Sequence, residues 1–95
     1  MTDKQKLEIF SELLRFRTIS HQSGEGFDMK PFRETADYLK SAFPLVHRHF
    51  HREIINGGSL LYTLEGSDLS LKPFMLTAHL DVVPAEDGEL WPEPP

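Results

Sequence analysis

The stretch Thr77-Ala78-His79-Leu80-Asp81-Val82-Val83-Pro84 is where residue types and spacing in this chain could do chemistry. In extended backbone, side chains two apart leave on the same side, so His79 and Asp81 project together while Leu80 points away. A carboxylate so placed can accept the imidazole N–H. That contact fixes the tautomer, raises the basicity of the second ring nitrogen and leaves it free for a metal, as is usual around zinc-bound histidine. The pair alone also suits a strand-end histidine and a turn-capping aspartate, a common role for short polar side chains. Which reading holds depends on the residues around the pair.

Other groups compete for attention. Between residues 45 and 55, His47, His49 and His51 alternate with apolar or basic residues. On a strand they would share one face, where three imidazoles could converge on zinc. A solvated strand face is the commoner outcome, and Glu53 is the one nearby carboxylate that could support a metal site. Glu86, Asp87, Glu89 and Glu93 form an acidic run in a Gly- and Pro-containing stretch, and such a run is more often solvated than ligating. Trp91 could line a pocket for an apolar substrate group, or pack onto its own domain.

Composition narrows the function classes. The chain has 95 residues, 39% hydrophobic, 11% aromatic and 26% charged, which is enough for a core and ordinary for a globular protein. Length allows one small domain, residues 1–95, whose independent stability should be marginal. A formal net charge of -5 with no basic stripe argues against nucleic-acid binding, which needs cations to displace counterions from phosphate. There is no cysteine, so any metal must be held by imidazole and carboxylate, and the redox compartment stays open. The charged N-terminus does not read as a signal peptide, and no stretch reaches the roughly 20 apolar residues of a membrane span. The expectation is a soluble protein, cytoplasmic by default.

The elements that must position the pair follow from periodicity. Over residues 3–17, Leu7, Ile9, Phe10, Leu13, Leu14 and Phe16 recur at helical spacing, predicting an amphipathic helix that stops near Arg17. A polar loop follows. A second helix starts around Asp28 or Lys30 because Pro31 suits a first turn. Its inward face is Phe32, Ala36 and Leu39, with Phe43 at the end, and Pro44 terminates it. Residues 45–55 alternate with period two and read as a strand with one wet side. Asn56-Gly57-Gly58 supplies residues that accept positive φ, and a second β-rich run over residues 59–65 completes a hairpin. Residues 73–79 are nearly all apolar, as expected of a strand buried on both faces. It ends at His79, and the C-terminal ends of sheet strands are where ligands bind. The fold class is thus α/β, the start of a mixed sheet with helices packed on it.

The string Ala78-His79-Leu80-Asp81-Val82-Val83-Pro84 resembles the first signature of the metallopeptidase family of carboxypeptidase S, carboxypeptidase G, aminoacylase and the acetylornithine and succinyl-diaminopimelate deacylases. Trp91, Pro94 and Pro95 resemble the Trp-x-x-Pro-Pro that follows it. Gly66-Ser67-Asp68 with Pro73 is similar to the carboxypeptidase S and fatty-acyl amino acid hydrolase branch, as is the run from Leu14 to Ser20 ending in Thr-Ile-Ser. The resemblance covers essentially the whole chain, but only residues 79–84 are specific. It implies a catalytic domain of zinc-exopeptidase type, with His79 as ligand of one metal of a two-zinc centre and Asp81 as the catalytic-site carboxylate that orients it. It also implies hydrolysis of a C-terminal peptide bond or the amide of an N-acyl amino acid. The glutamate base, the bridging aspartate and the other ligands are implied to lie beyond Pro95, so the chain would be the N-terminal part of the domain. The other reading is a truncated or spliced product with no hydrolytic activity of its own.

Overall fold

A computed structural model of the chain describes residues 1–86 and 88–94. Helix α1 (Asp3–Arg15) is started by a reciprocal cap: the Gln5 N–H donates to the Thr2 hydroxyl at 3.2 Å, and the Thr2 N–H donates to the Gln5 side-chain oxygen at 2.8 Å. It ends two residues before Arg17, because Phe16 turns extended at φ -69°, ψ 128°. Phe16 instead packs on Tyr38 of the next helix, ring centroids 5.6 Å apart. The charged pairs along α1 are exposed and stabilise it little. Leu7, Phe10 and Leu14 are also exposed.

Helix α2 (Lys30–Ala42) begins as expected, with Pro31 in the first turn and the Lys30 N–H held by the Asp28 carboxylate at 3.0 Å. It buries Phe32, Ala36 and Thr35. Leu39 and Phe43 reach only half-burial. Thr35 escapes an apolar-pattern reading, yet it is buried at little cost because its hydroxyl donates to the Pro31 carbonyl at 2.8 Å.

Residues 45–55 do not form one strand. The first half is a short helix, α3 (Pro44–His49), and only the second half is strand β1 (His51–Ile55). Pro44, expected to end a helix, also opens one, since its fixed φ suits a first helical position. Val46, His47 and Phe50 turn inward while Leu45, Arg48 and His49 face out, a helical and not an alternating pattern. The three histidines therefore share no face. His47 is turned inward: its Nδ1 lies 2.9 Å from the Phe43 carbonyl and its Nε2 2.9 Å from the Tyr62 hydroxyl. A carbonyl only accepts, so Nδ1 carries the proton and Tyr62 donates to Nε2. Arg52 completes the clamp by donating to the Ala36 carbonyl at 2.8 Å, tying the hairpin to α2.

The hairpin is as expected. β1 pairs antiparallel with β2 (Ser59–Thr63), Ile55 opposite Ser59 and His51 opposite Thr63. Asn56 and Gly57 both take positive φ, 52° and 79°, and the Gly58 N–H closes the turn on the Ile55 carbonyl. β2 ends at Thr63, short of the expected Glu65.

The third buried strand is not formed among the described residues. Residues 72–79 pair with no strand, and Phe74, Met75 and Leu76 are 87%, 75% and 87% exposed. The sheet has two strands only, and neither reaches this segment to satisfy its N–H and C=O groups. The mixed sheet is accordingly replaced by helices beside one antiparallel hairpin. The radius of gyration, 16.3 Å, exceeds the roughly 12 Å of a compact domain of this length. No described helix is long and apolar enough to cross a membrane.

A free hairpin edge beside an uncovered apolar segment favours self-association. Size-exclusion chromatography over a concentration series should show the elution volume falling as concentration rises; a monomer throughout would mean that this apolar surface is covered in solution.

Candidate metal centre

The residues after α1 and those before Pro84 meet across the molecule. Ile19 and Val82 form a short parallel bridge, with the Ser20 N–H donating to the Val82 carbonyl at 2.9 Å and the Val82 N–H to the Thr18 carbonyl at 2.8 Å. Thr18, a residue only 5% exposed, adds a third bond: its hydroxyl donates to the Leu80 carbonyl at 2.6 Å. Local sequence explains the shape: β-branched Thr18 and Ile19 favour extended backbone once Phe16 leaves the helix. The strap thus holds residues 80 and 82, the flanks of Asp81.

His79 and Asp81 are brought together as their spacing predicts. The imidazole Nδ1 lies 2.8 Å from the Asp81 main-chain oxygen and 3.3 Å from its carboxylate Oδ1. Both are acceptors, so Nδ1 carries the proton and Nε2 keeps its lone pair. The main-chain oxygen, which side-chain alternation does not anticipate, is the nearer of the two. The imidazole is largely exposed and the carboxylate about half so. The Asp81 carboxyl is held below its ordinary value first by hydrogen bonding from the Ser20 hydroxyl; its own backbone N–H and the His79 ring lower it further, against the opposing effect of burial. It is therefore ionised near neutrality, as a partner for imidazole must be.

A cavity of about 570 Å³ opens beside the pair, its lining including Phe27, Phe32, Leu39 and Leu60 together with Ser20, His79 and Asp81. The residues present fit a metal as a single imidazole donor with one nitrogen tied and the other available. Among the described residues no three His, Cys, Asp or Glu side chains gather into a metal-holding group. Glu86, Glu89 and Glu93 are exposed, Trp91 is half-exposed and does not line the cavity, and Asp87 lies outside the described residues. Thr18 and Ser20 lie in the Thr-Ile-Ser run, to which the sequence reading gives no site role; their two hydroxyls on alternate residues are the available signal.

Comparison with known proteins finds relatives named as carboxypeptidases and N-fatty-acyl-amino acid synthase/hydrolases. The chain is 48% identical over 68 residues to carboxypeptidase S of Saccharomyces cerevisiae, covering 70% of this chain and 12% of that protein. It is 41% identical over 81 residues to a probable carboxypeptidase S-like protein of Dictyostelium discoideum, 84% of this chain and 17% of that one. Against an N-fatty-acyl-amino acid synthase/hydrolase of Xenopus tropicalis, identity is 38% over 94 residues, 97% of this chain and 18% of the relative. The chain belongs to the carboxypeptidase S family. It spans less than a fifth of the length of these relatives. No family model matches the chain, and no solved structure does.

Proposed function

We propose that the chain forms part of a metal-dependent hydrolase that cleaves an amide, either a C-terminal peptide bond or the bond of an N-acyl amino acid. The observation that carries this is the His79 ring, whose Nδ1 is tied to Asp81 while Nε2 is left free. The names of its relatives, carboxypeptidases and N-fatty-acyl-amino acid hydrolases, support the reaction class. His79 would ligate zinc, one of two ions in the complete enzyme, and Asp81 would fix its tautomer and direction. When bound, the metal polarises the substrate carbonyl and lowers the pKa of a bound water. One imidazole is not a complete site, since zinc centres use three or four protein ligands. The remaining ligands and the general base would come from residues outside this sequence.

The test is a chimera in which the matched segment of the Saccharomyces carboxypeptidase S is replaced by this chain's residues. Asp81→Asn in the chimera should keep its zinc but lose rate by roughly 10- to 100-fold, the usual weight of a group that orients a ligand. Zinc content by elemental analysis, read beside peptidase and acyl-amino-acid assays, measures both. An active chimera indifferent to Asp81→Asn would remove the carboxylate from the mechanism.

A further inference from the structure

We infer that Asn56-Gly57, at the tip of the hairpin, is a site of spontaneous modification, where Asn56 loses its side-chain amide as ammonia and becomes a mixture of isoaspartate and aspartate. Asn56 is the chain's only asparagine.

The turn leaves the reacting groups open. Asn56 and Gly57 are both exposed, so water reaches the peptide between them. The turn is closed by the next residue, the Gly58 N–H donating to the Ile55 carbonyl at 3.3 Å, and among the described residues no hydrogen bond holds the Gly57 N–H. That nitrogen is the nucleophile the reaction needs. Gly57 has no Cβ to hinder it, and the nearest atom to where a Cβ would stand is the Met29 methyl, 3.6 Å away. The turn also demands these residue types: φ is 52° at Asn56 and 79° at Gly57, a pair of left-handed positions that Asn-Gly fills readily. The residues that make the turn therefore make it labile.

Water is the only other reagent. The Gly57 nitrogen, having given up its proton, attacks the side-chain carbonyl carbon of Asn56. The new N–C bond closes a succinimide ring, and the C–N bond to the side-chain amide breaks, releasing ammonia that carries the proton away. Water then opens the ring. Cleavage at the side-chain carbonyl leaves aspartate, whereas cleavage at the main-chain carbonyl leaves isoaspartate, with the chain running through the former side chain. Nothing is oxidised or reduced. The isoaspartyl link lengthens the backbone by a carbon, which a tight turn beside the Ile55–Ser59 pair does not accommodate in register. Asn56 shares the lining of the cavity with His79 and Asp81, so either product adds a carboxylate to that lining.

The experiment incubates the intact chain at mildly alkaline pH, in buffer where circular dichroism shows its helices folded, and follows its mass beside that of a peptide of residues 53–61. Each should gain the mass difference between a hydroxyl and an amino group. The chain's rate should lie within roughly tenfold of the peptide's, because loop tips open at little free-energy cost. Proteolytic mapping should then find isoaspartate at residue 56. Asn56→Gly keeps a residue that accepts the left-handed turn and should gain no mass. Asp87-Gly88 forms the same ring by losing water and regains it on opening, so its isomerisation leaves the mass unchanged. A chain slower than the peptide by more than roughly tenfold overturns the inference, since the folded turn would then protect the amide against local opening. A mass gain that persists in Asn56→Gly overturns it as well, because the reaction would then lie at a glutamine.

Discussion

His79→Ala is expected to remove close to one equivalent of zinc and nearly all amide hydrolysis from the chimera with the Saccharomyces enzyme. A ligand lost from the metal itself should cost more than the roughly 10- to 100-fold attributed to an orienting group, so it should exceed the effect of Asp81→Asn. The two variants are thereby separable, one losing metal and the other losing rate. The isolated chain should behave differently, because it offers His79 no partner ligands among the described residues. Titration calorimetry should find weak zinc binding of similar strength in the wild-type chain and in its His79→Ala variant, with no acyl amino acid released. Tight stoichiometric binding lost on His79→Ala would mean that the chain assembles a whole site by itself, for instance by oligomerising.

Phe32→Ala should unfold the chain at room temperature. Phe32, 8% exposed, is the largest side chain of the small core, packed on Phe27 with ring centroids 5.2 Å apart and beside buried Ala36 and Thr35. Truncating a buried phenylalanine costs about 3–5 kcal/mol, and a chain of this size with four buried residues among those described has little more than that to lose. Far-UV circular dichroism with urea titration would show the helical signal gone or the midpoint near zero denaturant. A conservative Phe32→Leu should lose much less, since it keeps most of the buried volume. A Phe32→Ala chain as stable as the wild type would place the stabilising core elsewhere.

Neither outcome depends on Arg52 and His47, yet those residues show why local pattern misled over residues 45–55. Alternation of apolar and polar residues is a strong sign of a strand only when it is long; over the six residues from Pro44 to His49 it also fits a helix that turns Val46, His47 and Phe50 inward. Pro44 in the first turn favours the helix, and the bond from Tyr62 of β2 to His47 fixes its inward face. The shared face that a strand would give His47, His49 and His51, solvated or zinc-binding, is not formed.

Features set by neighbours in the chain are readable from the residues alone: the two amphipathic helices, the start of α2 at Pro31, the Asn56-Gly57 turn with its positive φ, and the approach of His79 to the Asp81 carboxylate. Each of these is set by backbone sterics or by side-chain period within a few residues. Only the tertiary structure decided the rest. Residues 73–79 have the composition of a buried strand, but a strand exists only where a second one accepts its hydrogen bonds, and among the described residues none does. The bond from Thr18 to Leu80 joins positions 62 apart in the chain, and no local pattern announces it. The contact within the pair is legible because it spans three residues; what holds the pair in place is not, because it arrives from the other end of the chain.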